Sequence, residues 1–305
     1  MDILEIQHLS KRFGSTQAID DLSFSVPEGS IFGFIGQNGA GKTTTMKLVL
    51  GLLKTDQGSV LIDGEKVSFG ETKTNRKIGY LPDVPEFYNY LRAREYLDLC
   101  GKITGLSNEL IKSRSDELLS LVGLSKVTKK IGAYSRGMKQ RLGIAQALLN
   151  EPRLLICDEP TSALDPLGRK EILDILSQVK GKTTVLFSTH ILSDVERICD
   201  HVAVISHGKL MMADSLANIK ANHASESISI EFKTPQDKEA FMDHIEIKDH
   251  FIPKTEGQTG LLLQTKELLK TEALVLKILV DHNWLPIKFE VNEPSIESLF
   301  LEALQ

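Results

Sequence analysis

The chain has 305 residues, of which 41% are hydrophobic and 25% charged, with a formal net charge of −5. This length accommodates one large domain plus a smaller one, and the composition is that of an ordinary globular protein. The acidic balance gives no footprint for a nucleic-acid partner, and no window approaches the ~18 unbroken apolar residues of a spanning helix.

The N-terminus, Met1-Asp2-Ile3-Leu4-Glu5, has neither the cationic start nor the apolar core of a signal segment. Cys100, Cys157 and Cys199 form no C-x-x-C pair and read as reduced, mostly buried thiols of a cytoplasmic protein. Residues 3–8 and 19–26 read as short strands leading to an apolar run at Ile31–Ile35. Next comes Gly36-Gln37-Asn38-Gly39-Ala40-Gly41-Lys42-Thr43, with a helix expected from Thr44 to Leu50. Buried strand, glycine-rich loop and helix start form the setting of a phosphate-binding P-loop. Glycines let several N–H groups converge on one anion, and the helix N-terminus adds partial positive charge. Lys42 would reach the β- and γ-phosphates, while Thr43 would hold Mg²⁺ through its hydroxyl. A plain glycine-rich turn is the blander reading of this tract. With both flanks correct, a nucleoside triphosphate is the expected ligand.

Further strands are expected at Ser59–Ile62 and Lys77–Leu81, and a helical stretch from about Arg92 to Gly123. Tyr134-Ser135-Arg136-Gly137-Met138 opens a helix running to Leu149. Ser135 would cap that helix. A serine and a glycine there also make a second anion site, which one nucleotide in its own P-loop does not need. The economical reading assigns it to the nucleotide of another subunit.

Leu154-Leu155-Ile156-Cys157-Asp158-Glu159 is an apolar strand ending in two carboxylates. Asp158 is placed to hold Mg²⁺, and Glu159 to polarise an attacking water. A solvated acidic turn before Pro160 is the alternative. A helix from Pro166 to about Val179 and a strand at Thr184–Phe187 follow, so strand, helix, strand implies a parallel sheet with right-handed crossovers. From about Ala221 the pattern changes. Strands at 227–232, 261–265 and 287–291 and helices near 236–245 and 271–283 suggest a βαββαβ, ferredoxin-like module, with a last helix at Ser295–Leu304.

Five ordered motifs now converge. Over roughly residues 1–215 the chain resembles the nucleotide-binding subunit of an ATP-binding cassette (ABC) transporter. Gly36–Thr43 matches Walker A, Leu154–Glu159 Walker B, Tyr134–Met138 the signature, and Ser162-Ala163-Leu164-Asp165 the D-loop. His190, in Ser188-Thr189-His190, is the switch histidine by resemblance, and Phe13 the aromatic that stacks on adenine. Two positions depart from the family's L-S-G-G-Q signature, Arg136 and Met138, while Ser135 and Gly137 are kept. Asp83 stands where glutamine is usual in the coupling loop, beside the expected Mg²⁺. These departures and the ending from Asn292 to Phe300 resemble single-cassette subunits of ABC-2-type exporters, including antibiotic-resistance exporters.

The resemblance implies an α/β fold: a RecA-like P-loop NTPase core with N-terminal antiparallel strands, an inserted helical subdomain at about 84–145, and a small α+β domain over 221–305, after a first domain of residues 1–220. It implies an ATPase that uses ATP and Mg²⁺. Glu159, His190 and Lys42 would serve catalysis. Phe13, Gly36 through Thr44, Ser135 and Gly137 would hold nucleotide, and Thr43, Asp158 and Asp83 the metal. Its partners would be a second ATP-binding subunit, in a head-to-tail homodimer, and a multi-spanning permease on a separate chain. That places it in the cytoplasm, on the inner face of the membrane. The rival functions are a non-transport ABC-type ATPase acting on ribosomes or DNA, a P-loop kinase, and a regulatory module in the C-terminal region. A single cassette, the absence of sustained heptads and the joint presence of Ser135, the D-loop and His190 weigh against the first two.

Overall fold

The computed structural model describes residues 1–70, 73–222, 226–248, 254–265 and 267–292. The chain opens with a hairpin, β1 (Asp2–Phe13) and β2 (Thr16–Pro27), followed by strand β3 (Ile31–Ile35) and helix α1 (Lys42–Val49). A second hairpin, β4 (Gln57–Ile62) and β5 (Glu65–Lys66), precedes β6 (Ile78–Leu81). Three helices come next: α2 (Ala93–Ile103), α3 (Asn108–Leu121) and α4 (Arg136–Leu148). Alternation then resumes with β7 (Leu154–Asp158), α5 (Pro166–Val179), β8 (Thr184–Thr189), α6 (Leu192–Ile198), β9 (His201–Ser206) and β10 (Lys209–Ser215).

These elements build two sheets. One is antiparallel in the order β2-β1-β4-β5; the other runs β10-β9-β3-β8-β7-β6 and is parallel except for β10. Every residue of β3, β7 and β8 is buried. That is why they read as unbroken apolar runs instead of alternating ones: helices or the second sheet cover both of their faces. Both sheets feed one core, in which Phe24 of β2 stacks on Phe32 and Phe34 of β3 at 5.6 and 5.3 Å. Helix α5 starts where the sequence says it should, with Pro166 in its first turn and the Asp165 carboxylate accepting from Gly168 N at 3.2 Å.

Several boundaries differ from expectation. Strand β1 runs to Phe13, past the expected end at residue 8, because a bulge at His8 (φ 49°) resets the alternation that marks a strand. The helical stretch from 92 to 123 is two helices: the first ends at Thr104-Gly105, and Ser107 caps the second by accepting from Leu110 N. Helix α6 and strands β9 and β10 add elements between His190 and Ala221 that the sequence reading passed over.

Contacts divide the chain into two compact units, Met1–Leu216 and the described residues from Ala217 to Asn292. The second contains α7 (which begins at Leu216 and ends at Asn222), β11 (Glu226–Glu231), α8 (Pro235–Met242), α9 (Ile245–Lys248), β12 (Lys254–Glu256), β13 (Gly260–Thr265), α10 (Leu268–Asp281) and β14 (Lys288–Asn292). Its sheet is antiparallel throughout, in the order β12-β13-β11-β14. Ile228, Ile230, Leu261 and Leu263 form a core with Phe241 of α8 and Val275, Ile278 and Leu279 of α10. The expected helix at Ser295–Leu304 lies outside the described residues. Among the described residues, no helix is long and apolar enough to cross a membrane.

Candidate active site

Parallel pairing brings the ends of β3, β7 and β8 together, with β8 between the other two. Beyond β3 the loop from Gly36 curls back on itself, Ala40 N donating to Gln37 O at 3.1 Å and Gly36 N to Thr189 O at 3.4 Å. Gly41 carries φ 112°, and a Cβ there would stand 2.6 Å from Ile19 Cδ1 and 2.9 Å from Ala18 O. A Cβ on Gly36 would meet Ile205 O at 2.7 Å. Only glycine fits either position, so the loop can hug the sheet and release helix α1 directly at Lys42.

Lys42 is 6% exposed, an uncommon setting for an ammonium group. Its Nζ donates to Gly36 O at 2.6 Å and Gln37 O at 3.2 Å, and lies 3.1 Å from Glu159 Oε1. That last contact is an ion pair without hydrogen-bond alignment, since Glu159 Oε1 has no hydrogen-bond partner. The other oxygen of Glu159, Oε2, lies 2.9 Å from His190 Nδ1. An ionised carboxylate only accepts, so the imidazole donates from that nitrogen. Glu159 thus links the P-loop lysine to the histidine at the end of β8. Its backbone is left-handed (φ 48°), which turns it out of line with β7.

Asp158 is 3% exposed and takes a hydrogen bond from Ser188 Oγ at 2.6 Å; the same hydroxyl accepts from Glu159 N at 3.0 Å. One buried serine therefore sets both consecutive acids. It does so because Asp158 and Ser188 are register partners on adjacent strands. Nearby, burial pushes the Tyr80 phenol up to about 12, with Asp158 adding to the effect, and burial likewise raises the Cys157 thiol, as it does that of Cys100 on α2. Of the three cysteines only Cys157 is buried, Cys100 and Cys199 being partly so, which corrects the expectation of mostly buried thiols; a thiol kept neutral by burial is inert.

A cleft of about 450 Å³ opens over this loop, lined by Asn38, Gly39, Gly41, Lys42, Thr43, Thr44, Glu159 and Asp83, and on the other side by Thr16, Gln17 and Ala18. Phe13 does not line it; the ring is 47% exposed, with Lys11 Nζ 5.4 Å from its centroid. It stands at the rim as the register partner of Thr16. Ser135 and Gly137 do not line the cleft either. Ser135 Oγ accepts from Met138 N at 3.3 Å and so caps α4, keeping its O–H free to donate elsewhere.

Sequence reasoning passed over Thr16–Ala18, for a hairpin end carries no motif. It quoted Ser188 without assigning it a role. It also passed over Asp194, buried at 3% exposure, which takes bonds from Thr161 Oγ1 and Arg169 Nη2, both at 2.7 Å, and so fixes the segment after Glu159.

The family model for ABC transporters matches residues 19–162. The chain is 37% identical to a bacitracin transport ATP-binding protein of Bacillus licheniformis over 308 residues, 99% of this chain and 97% of that one. It is 34% identical to a solved ATP-binding subunit of an ABC transporter, with a TM-score of 0.65 over 72% of this chain and 92% of that one. A dimeric ATP-binding cassette in a post-hydrolysis state, bound to ADP and phosphate, is 25% identical with a TM-score of 0.63 over 70% of this chain and 98% of that one. Near-full-length identity, the cassette fold and the P-loop cleft agree: the chain belongs to the ATP-binding subunits of ABC transporters and is an ATPase.

Proposed function

We propose that this chain powers an exporter, binding ATP in the cleft above Lys42 and hydrolysing it in a head-to-tail dimer with a second copy. The observation that carries the reading is the Lys42–Glu159–His190 chain of contacts, closed over a glycine loop that no side chain could share. The donor set also fits a triphosphate: a buried ammonium that donates to two loop carbonyls and pairs with one carboxylate among the described residues is ready to change partners.

On nucleotide entry Lys42 turns from Glu159 to the phosphate oxygens, and the freed Glu159 orients the attacking water while His190 holds it in place. Thr43 and Asp158 would hold Mg²⁺, with Asp83 at the rim. When bound, the ion supplies neutralisation of phosphate charge. Phe13, beside Thr16, is set to receive the base. Ser135 and Gly137 cap the γ-phosphate held by the partner copy. Moving closure from rare to dominant takes about 5.5 kcal/mol of differential binding. A few charge-assisted hydrogen bonds at about 1.5–3 kcal/mol each supply that. The membrane partner is a multi-spanning permease on another chain, which places this subunit at the cytoplasmic face. The similarity to a bacitracin transport protein supports an antibiotic-type cargo.

Glu159→Gln keeps the shape of the side chain and removes its charge. It is expected to retain ATP and accumulate as an ATP-bound dimer by size-exclusion chromatography, whereas Lys42→Ala loses affinity for ATP itself. A Glu159→Gln protein that stays monomeric under saturating Mg·ATP and hydrolyses at the parental rate overturns this assignment.

A further inference from the structure

Two of the three departures from the family's pattern, Arg136 and Asp83, touch each other. Arg136 Nη2 donates to Asp83 Oδ1 at 3.2 Å, and Gln140, about one turn further along the same helix, donates through Nε2 to Asp83 O at 2.8 Å. Gln140 is wholly buried, so the loop after β6 is pinned to α4 through its backbone whatever occupies position 83. The side-chain pair is a separate matter. Each member is badly placed alone. Asp83 lines the cleft that receives a triphosphate, where a carboxylate repels the ligand. Arg136 sits in the first turn of α4, where the helix dipole disfavours a cation. Together they cancel.

We propose that Asp83 and Arg136 act as one neutral unit, in which Arg136 is a positioning residue that holds the Asp83 carboxylate toward α4 and removes its repulsion from the incoming phosphates. The inference rests on the reading of the cleft as the ATP site. It predicts that restoring the common signature glycine without touching position 83 is harmful, and that changing both positions is not.

The test is a double-mutant cycle on the full chain, with ATP affinity read by calorimetry and kcat and KM read separately. Arg136→Gly is expected to weaken ATP binding about two- to fivefold, the range an exposed charge pair carries. The loss should appear in KM, shrink as salt screens the uncompensated carboxylate, and be largely avoided in Arg136→Lys. Asp83→Gln combined with Arg136→Gly should return affinity to within about twofold of the parent, since contacting residues are not additive. Recovery in the double variant also rules out misfolding as the cause of the single variant's loss. An additive cycle, or parental affinity in Arg136→Gly at low salt, overturns the proposal. If Lys42→Ala bound ATP as tightly as the parent, the nucleotide reading beneath it would fail instead.

Discussion

Ser188 shows how much a single small side chain can settle. It has no exposed surface, and its hydroxyl donates to the acid at the end of β7 while accepting from the next residue's N–H. Ser188→Ala therefore strands two buried polar groups at once. An unsatisfied buried group costs about 1–3 kcal/mol, so a fall in the melting midpoint and a drop in kcat are both expected. A variant with parental melting and turnover would show that Asp158 and Glu159 hold their geometry unaided. The acids themselves were legible in the sequence, because an apolar run ending in two carboxylates beside a P-loop has few other uses. The serine was not: nothing in Ser188-Thr189-His190 says which residue of β7 lies opposite, and only strand register does. The Asp83–Arg136 contact was illegible for the same reason. Both residues stood out as departures, but 53 positions separate them and pairing is a tertiary fact.

Elements with one strong signal were readable. The buried strands β3 and β7 announced themselves as apolar runs, and α5 by its proline and capping aspartate. Where a local feature interrupts the period, the reading stopped short, as at the His8 bulge in β1. Strand β9 carries a usable signal, the apolar run Val202-Ala203-Val204-Ile205 ahead of the turn residues His207-Gly208, but no chemical motif. What no pattern reveals is how closely α4 approaches β6. A Cβ added at Gly79 would lie 2.2 Å from Ala147 O, so strand and helix meet backbone to backbone. Gly79→Ala must push α4, and with it the signature turn, away from the sheet. A loss of about 1–3 kcal/mol from overpacking is expected in chemical denaturation, together with weakened hydrolysis. Unchanged stability would mean that the helix can shift freely on the strand.

At the scale of the whole molecule, the cleft draws all its lining residues from the first unit, and the second carries its own core. The order of motifs along the chain made the first unit's class plain, and the alternating strands at 227–232 and 287–291 marked the second as α+β. Within the first unit, Lys42 faces the cleft while Ser135 does not line it. This separation has a genetic consequence. Lys42→Ala and Ser135→Ala chains should each be inactive as homodimers, because every site in them lacks one of its two contributors. Mixed in equal amounts, the two defective chains should regain hydrolysis, since in a hybrid pair one site inherits the healthy lysine of one chain and the healthy serine of the other. Complementation between two dead alleles is the signature of a shared workplace; its failure would mean that each chain works alone.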